Sequence, residues 1–277
     1  MKAGVNTPAF LFLASKRQLV YIEEKKGVTA VKRTLKLETS SFFLHLLAMA
    51  LMLCDHLWAT VVPGNDWMNC LGRIAFPIFA FMVAEGAHYT RSMKKYVLRL
   101  LIFAVVSEIP FNLVAGGSWF YPLHQNVLWT FLMGLLLIWW NERAKASGKW
   151  WKRGLIGALS IIIGYLAGMV SFCDYGYAGV LTVLMFYFFR GEKWLLRLAQ
   201  LVCLWYINLE MLGGIGQEFT VFGQTVFFAR QGFAVLALIP IWLYRGKQGL
   251  HSKALQYLYY GFYPAHLLVL GLWRILA

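Results

Sequence analysis

Long apolar runs recur along this chain from about residue 42 to its end, and they constrain its fold more than any other feature. Each run holds about 20 residues or somewhat fewer, which is the length that a helix needs to cross a bilayer. Hydrophobic residues make up 60% of the sequence and charged residues only 14%. A soluble domain carries about 25% charged residues. The chain therefore lacks the polar groups to cover a surface in water, and an all-α membrane protein is predicted.

The runs predict a polytopic bundle of about nine transmembrane helices. Their positions are residues 42–62, 69–89, 95–115, 126–140, 154–172, 175–190, 193–209, 226–244 and 256–276. Residues 1–41 contain eight Lys or Arg and three Glu. They are predicted to form a basic cytosolic tail, either solvated or lying on anionic headgroups. Residues 42–277 form the predicted transmembrane domain.

Lysine and arginine are unevenly distributed among the predicted loops. They gather in alternate loops, at Arg91/Lys94/Lys95, Arg143/Lys145/Lys149/Lys152/Arg153, Arg190/Lys193/Arg197 and Arg245/Lys247/Lys253. The intervening loops near residues 63–68, 111–125 and 171–175 contain neither. Loops rich in Lys and Arg stay in the cytoplasm. This distribution predicts a cytosolic N-terminus and a C-terminus outside.

Charge and cysteine patterns bear on two further function classes. The net charge of +14 does not indicate nucleic-acid binding, because no basic recognition helix or aromatic-interleaved basic strand occurs. Cys54, Cys70, Cys173 and Cys203 show neither a C-x-x-C pair nor zinc spacing. Cys70 and Cys173 fall at the same predicted face, which leaves a disulfide between them open.

Asp55 and His56 stand inside the first predicted span, residues 42–62. An ionised carboxylate in the bilayer costs about 2.5–3.5 kcal/mol or more on insertion scales, so such a residue usually has a function. The alternative is a packing role, in which the pair bonds to a neighbouring span. The sequence favours a functional site and leaves the packing role open.

The predicted orientation converts sequence position into depth, since a helix rises about 1.5 Å per residue. His56 then lies about 9 Å from the outer end of its span, and Arg73 about 6 Å from the outer end of the next. We therefore expect an Asp55–Arg73 ion pair, the cheapest way to hold either charge in a membrane. Glu108 is predicted in the same layer.

Polar residues from other segments are predicted to converge on a cavity in the outer half of the bilayer. Glu108 and His266 join Asp55, His56 and Arg73 as candidate catalytic residues, because a histidine beside carboxylates suits proton transfer. Candidate substrate-binding residues are Asn112, Gln125, Asn126, Asp174 and Tyr175, with His124 nearby, and Glu85, which is predicted to lie toward the cytosol. Packing or loop roles stay open for several of these residues. No H-E-x-x-H motif or phosphate loop occurs, and no metal is predicted.

Specific motifs are spread over about residues 42–276. They are Leu53-Cys54-Asp55-His56, Gly72-Arg73-Ile74-Ala75-Phe76-Pro77-Ile78-Phe79-Ala80-Phe81, Glu85-Gly86, Tyr89-Thr90-Arg91, Ser107-Glu108-Ile109-Pro110-Phe111-Asn112-Leu113, Gln125-Asn126-Val127-Leu128, Asp174-Tyr175-Gly176 and Tyr263-Pro264-Ala265-His266-Leu267. In content and order these motifs resemble the TraX family. The run from Gly72 to Arg91 and the Ser-Glu-Ile-Pro-Phe-Asn motif are the specific ones.

TraX proteins are associated with N-terminal acetylation of conjugative pilin subunits and are distantly similar to integral-membrane acyltransferases. The resemblance implies an acetyl-CoA-dependent transferase, multi-pass in the bacterial cytoplasmic membrane, with His56 as acid–base residue and Asp55 or Arg73 orienting it. It places the donor's phosphates near Arg91, Lys94, Lys95 and Arg99, although such bases are more often topology determinants. The implied partners are membrane lipids and an acetyl acceptor, which is a peptide, a pilin-like protein, a sugar or a lipid headgroup.

Two other classes of function stay open. Chains of acidic residues and histidines across spans also act as proton relays in transporters, but no internal repeat of the transporter kind is evident. A non-catalytic membrane scaffold for pilus or envelope assembly would explain the spans and aromatic residues. It would give no reason for the acids and histidines.

Overall fold

The structure is a computed structural model, and it describes residues 20–24, 27–31, 38–221 and 223–276. The chain divides into two units, Met1–Glu38 and Thr39–Ala277. In the first unit, strand β1 (Val20–Glu24) pairs antiparallel with strand β2 (Gly27–Val31). The other residues of the predicted basic tail before Glu38 lie outside the described residues.

The second unit is predominantly helical. Its α-helices are α1 (Ser41–Thr60), α2 (Asp66–Gly72), α3 (Ala75–Tyr89), α4 (Met93–Val106), α5 (Glu108–Gly116), α6 (Val127–Ala146), α7 (Trp150–Val170), α8 (Gly176–Phe188), α9 (Trp194–Tyr206), α10 (Leu238–Leu243) and α11 (Lys253–Leu276). A π-helix (Ile207–Leu212) continues α9, and a 3₁₀ helix (Arg230–Ala237) leads into α10. Strands β3 (Gly216–Val221) and β4 (Gln224–Ala229) form an antiparallel pair between them.

Within the described residues, four helical segments are long and apolar enough to cross a membrane. They are Ser41–Thr60, Asp66–Tyr89, Trp150–Val170 and Trp194–Leu212. The bent pair α4–α5 would be a fifth if it forms one span. A helical membrane protein is therefore confirmed, whereas the nine spans and their orientation stay predictions.

The third predicted span is broken near Ser107, where the axes of α4 and α5 meet at 44°. Pro110 follows in the first turn of α5 and has no N–H to bond back to the carbonyl of Val106, which ends α4. A proline also clashes with that carbonyl, so a straight helix is unfavourable here. The break places Glu108 at the start of a new helix.

The predicted span 226–244 is wrong in its first part, because residues 224–229 form strand β4. This stretch contains Thr225, Val226 and two phenylalanines, and β-branched and aromatic residues favour strands. Gly223 precedes it at φ +77°, a left-handed conformation that suits a hairpin connection. A short apolar run fits a buried strand or a helix equally well by hydrophobicity alone.

Helix α3 lies at the centre of the bundle and packs against α1, α6 and α8. Most of its residues are buried, among them Ile78, Ala80 and Val83. Helix α7, in contrast, exposes large apolar side chains such as Ile162 and Leu166. Exposed apolar faces of this kind suit contact with lipid, so α3 is an internal helix and α7 a peripheral one.

Helix α7 provides a matched pair of glycines to test the packing. Gly168 meets the backbone of α8, where any Cβ would overlap Tyr177, whereas Gly154 has open space around it. We expect Gly168→Ala to destabilise the protein by about 1–3 kcal/mol, because the helices must separate. Gly154→Ala should be neutral or stabilise it by up to about 1 kcal/mol, since alanine favours the helix. Thermal unfolding in detergent measures both, and equal shifts would contradict the packing.

Candidate functional site

A cavity of about 910 Å³ extends along the inside of the second unit. Its walls come mainly from α1, α3, α4, α6 and α11. On α1 the lining residues reach from Ser41 to His56, which corresponds to about 22 Å of helix rise. One end of the cavity is bordered by Arg91, Gln248 and His251, and Asp55 and His56 line the other.

Asp55 forms the predicted ion pair with Arg73. The Arg73 guanidinium donates to both Asp55 carboxylate oxygens, at 2.5 and 2.7 Å, and Asn69 Nδ2 donates to Oδ1 at 2.8 Å. The two charged side chains are about one-fifth exposed. These three hydrogen bonds fix the position of the carboxylate inside an apolar bundle.

The short connection between α1 and α2 brings these residues together. Gly64 turns the chain at φ +95°, and α2 then runs back along α1. Asn69 and Arg73 are four residues apart, so they lie on the same face of the helix. Gly72 lies between them, where any side chain would overlap Asp55. Sequence spacing alone identified Arg73, whereas Asn69 was missed.

Arg73 is also connected to a second layer of polar side chains that sequence reasoning missed. Its NH1 lies 3.5 Å from Gln231 Oε1, and Gln231 Nε2 donates to Asn208 Oδ1 at 2.8 Å. Asn208 belongs to the π-helix, an irregularity that is frequent at functional sites. The 3₁₀ helix thus contacts Arg73 through Gln231, and the π-helix holds Gln231 through Asn208.

His56 contacts His266 of α11, a residue 210 positions away in sequence. His56 Nδ1 lies 2.7 Å from His266 Nε2, and the two rings are stacked with centroids 5.0 Å apart. His266 Nδ1 lies 2.7 Å from the carbonyl oxygen of Phe262. The predicted orienting residues were Asp55 or Arg73, but the ring of His56 is oriented by His266.

These contacts determine which ring nitrogens carry protons when both rings are neutral. A carbonyl oxygen only accepts, so His266 Nδ1 is protonated and its Nε2 holds a lone pair. His56 Nδ1 must then donate to that lone pair, which leaves His56 Nε2 unprotonated. No hydrogen bond among the described residues occupies His56 Nε2. It is available as a base beside the cavity.

Asp174 and Tyr175 border the cavity at the same end. Phe172 and Tyr175 flank Asp174 in left-handed backbone conformations, with φ of 52° and 61°, and they are the two such non-glycine residues in the described chain. Strained residues of this kind cluster at functional sites. Tyr175 stacks on Phe76 with ring centroids 3.8 Å apart, which holds the turn against α3.

Glu108, Asn112, Gln125 and Asn126 do not line the cavity. Glu108 accepts hydrogen bonds from Asn126 and from Trp129 at 3.0 Å, so it joins α5 to α6. Asn112 Nδ2 donates to the Trp119 carbonyl, and Gln125 Nε2 to that of Pro122. These four side chains hold the segment between α5 and α6, and none contacts Asp55 or His56.

The remaining candidates lie toward the opposite end of the cavity. Glu85 lines it but is paired with Arg190, whose Nε lies 2.5 Å from Oε1. Arg91 and Arg99 also line the cavity, Lys95 lines only a neighbouring groove, and Lys94 lines neither. Of the four predicted cofactor-binding bases, two therefore line the cavity, Arg91 and Arg99, and two do not, Lys94 and Lys95.

The four cysteines are free thiols, so Cys70 and Cys173 are not paired. Cys173 Sγ contacts Ser171 Oγ at 3.0 Å. Among the described residues, no group of three or more His, Cys, Asp or Glu could hold a metal ion. The chemistry that this site offers is that of a histidine base and a carboxylate–guanidinium pair.

Comparison with protein families identifies the family to which the motifs with these residues belong. The model of the TraX protein family matches residues 40–274, a range that contains every site residue described above. The chain belongs to the TraX family.

Individual TraX relatives are more distant. The chain is 28% identical over 245 residues to the probable fimbrial assembly protein FimC, serogroup H1, of Dichelobacter nodosus, covering 84% of this chain and 95% of that protein. It is 29% identical over 162 residues to protein TraX of Escherichia coli, covering 57% of this chain and 59% of that protein. No solved structure matches significantly. Membership of the family is thus shown by sequence.

His124, in the segment between α5 and α6, gives a titration test of the site. Its Nε2 lies 3.7 Å from Asp174 Oδ1, and interaction with this carboxylate raises the pKa of His124 above its ordinary value of 6.5. The raised pKa means that the contact stabilises the fold below the ordinary pKa and loses this effect as pH rises through the folded-state pKa. Asp174→Asn should lower the pKa of His124, as followed by NMR of labelled histidine. An unchanged His124 titration would refute the contact.

Proposed function

We propose that this TraX-family protein is an integral-membrane acyltransferase that transfers an acetyl group from acetyl-CoA to an amine or hydroxyl acceptor. The observation that carries the proposal is His56, whose unprotonated Nε2 stands at the end of a long cavity. A base held in a fixed tautomer by a second residue is the arrangement found in many acyl-transfer enzymes. The ion pair beside it keeps the surrounding helices in place.

The proposed reaction needs one proton to move twice. His56 Nε2 takes a proton from the acceptor amine or hydroxyl as that atom attacks the thioester carbonyl carbon. The carbon–sulfur bond then breaks, and the proton passes from His56 to the departing thiolate. His266 accepts the Nδ1–H of His56 throughout, so the ring keeps its orientation.

The donor is proposed to enter from the end that Arg91 and Arg99 border. In the proposed topology this end faces the cytosol, where acetyl-CoA is made. The cavity is lined largely by apolar side chains between that end and His56. Such a channel suits the slender, uncharged arm of the donor, while its phosphates stay near the bases.

The acceptor is proposed to be a peptide amine, such as the N-terminus of a pilin-like protein, with sugars and lipid headgroups as alternatives. The printed name of the Dichelobacter relative concerns fimbrial assembly, which favours a surface-fibre subunit. That name equally favours a non-catalytic scaffold for assembly in the bacterial cytoplasmic membrane. Measured acetyl transfer distinguishes the enzyme from the scaffold.

Substitution of the base tests the enzyme directly. We expect His56→Ala to lower acetyl transfer by about 10²–10⁴-fold, because general-base catalysis contributes a factor of this size. Asp55→Asn should also abolish most activity, since it breaks the pair that fixes α1 against Arg73. Transfer of label from acetyl-CoA to peptide or amine acceptors in proteoliposomes measures both.

The control is His88→Ala, which removes a histidine of α3 that does not line the cavity. It should retain the activity of the unmodified protein. Full activity in His56→Ala would sink the assignment of the base. If the unmodified protein transfers no acetyl group to any acceptor, the scaffold is favoured instead.

His266 is proposed as a positioning residue, and its substitution has a distinct signature. His266→Ala removes the acceptor for His56 Nδ1–H, so we expect kcat to fall by about 10²-fold through loss of orientation. His266→Gln offers an acceptor oxygen at similar reach and should restore part of kcat. Nitrogen NMR of labelled His56 should show a single tautomer in the unmodified protein and a mixture in His266→Ala. One tautomer in both proteins would contradict the role.

A further inference from the structure

Arg99, on α4, is a partly buried cation that forms no ion pair with an acidic side chain in the part of the chain that the structure describes. Its Nε is buried and has no hydrogen-bond partner, and none of the ion pairs among the described residues involves it. Its guanidinium carbon lies 5.9 Å from the ring centre of Tyr96 and 5.7 Å from that of Tyr260. Aromatic faces recover only part of the cost of removing a cation from water.

The position of Arg99 makes it accessible to a ligand from two directions. It lines the main cavity and, together with Thr90 and Arg91, also lines a smaller groove of about 420 Å³. The outer part of this groove includes Leu98 and Ile102, which are 55% and 49% exposed. Arg99 therefore stands where the cavity meets the surface of α4.

The lining beyond Arg99 restricts what the rest of such a ligand can be. Phe103, Leu100 and Phe79 line the cavity wall, and Asp55 and His56 lie at its far end. A charged group of a ligand would not be stable against this apolar wall. The cavity suits a molecule with an anion at one end and a slender uncharged chain that reaches toward His56.

We propose that Arg99 is the anion-binding residue of the cavity and that its ligand is a phosphate ester with an uncharged chain extending toward His56. The planar guanidinium binds phosphate oxygens through paired hydrogen bonds, and its unpartnered Nε supplies one of them. Arg91 adds a second positive charge at the same opening. This inference rests on the proposed function for the identity of the ester, since coenzyme A is a phosphate ester of this shape.

The test measures binding in place of turnover. The full chain in nanodiscs of neutral phosphatidylcholine is titrated calorimetrically with coenzyme A, phosphopantetheine and pantetheine, the last of which has no phosphate. Arg99→Gln should weaken binding of the two phosphorylated ligands by about tenfold or more, the scale of a charge-assisted hydrogen bond. Pantetheine binding should not change, and Arg99→Lys should recover part of the affinity.

The matched control is Arg143→Gln, which removes another arginine that lies over an aromatic ring, 4.7 Å from the centre of Trp139. Arg143 does not line the cavity, so this variant should bind all three ligands as the unmodified protein does. Melting temperatures of both variants check that folding is retained. If Arg99→Gln fails to fold, the comparison is made with Arg99→Lys, which keeps the charge but loses the paired hydrogen bonds.

A phospholipid headgroup entering from the groove has the same phosphate-ester chemistry, and a second measurement identifies it. Native mass spectrometry counts phosphatidylglycerol molecules retained from anionic nanodiscs by each variant. Loss of retained lipid in Arg99→Gln, with unchanged coenzyme A binding, supports the anion site and assigns it to lipid. The proposal is overturned if Arg99→Gln and Arg143→Gln bind coenzyme A equally and retain lipid equally, including the case in which neither ligand binds.

These outcomes are separate from those of the acetyl-transfer assay. A protein that binds coenzyme A through Arg99 but transfers no acetyl group refutes the proposed function and keeps the anion site. A protein that transfers acetyl with the same donor KM in Arg99→Gln and Arg143→Gln, and retains lipid equally in both, keeps the function and loses the site.

Discussion

The ion pair between Asp55 and Arg73 is the interaction on which the rest of the site depends. Either charge alone would be costly inside an apolar bundle, and together they require a close and fixed approach of α1 and α2. Asn69 donates a further hydrogen bond to the Asp55 carboxylate, and Gln231 contacts the Arg73 guanidinium. The pair thereby joins segments from three parts of the sequence, and its geometry fixes the turn of α1 that carries His56.

His56 and Arg99 differ from this pair because neither is fully satisfied by the described residues around it. His56 has one ring nitrogen bonded to His266 and one without a hydrogen bond, and Arg99 has an unpartnered Nε. Both line the same cavity. Buried polar groups are nearly always satisfied in folded proteins, so the unpartnered Nε of Arg99, together with the free ring nitrogen of His56, favours a ligand in this cavity. This argument is independent of family membership.

The sequence predicted some of these contacts and missed others for identifiable reasons. Asp55 and Arg73 were paired correctly because helix rise and a short connection fix the depth of residues on neighbouring helices. Asn208 and Gln231 were missed, because a π-helix and a 3₁₀ helix do not follow the ordinary helical period. Residues 226–229 were assigned to a span, since a short apolar run does not distinguish a strand from a helix.

Three conclusions could be reached from the amino-acid sequence: the chain is a helical membrane protein, it carries TraX motifs, and Asp55 and Arg73 lie at one level. Composition and residue spacing suffice for these conclusions, because they depend on apolar length and helix rise. Three features follow from the three-dimensional packing: His266 orients His56, Glu108 joins α5 to α6, and the Nε of Arg99 in the cavity wall has no partner among the described residues. Those facts depend on which faces of distant helices meet, and side-chain packing between helices sets this without a local signal.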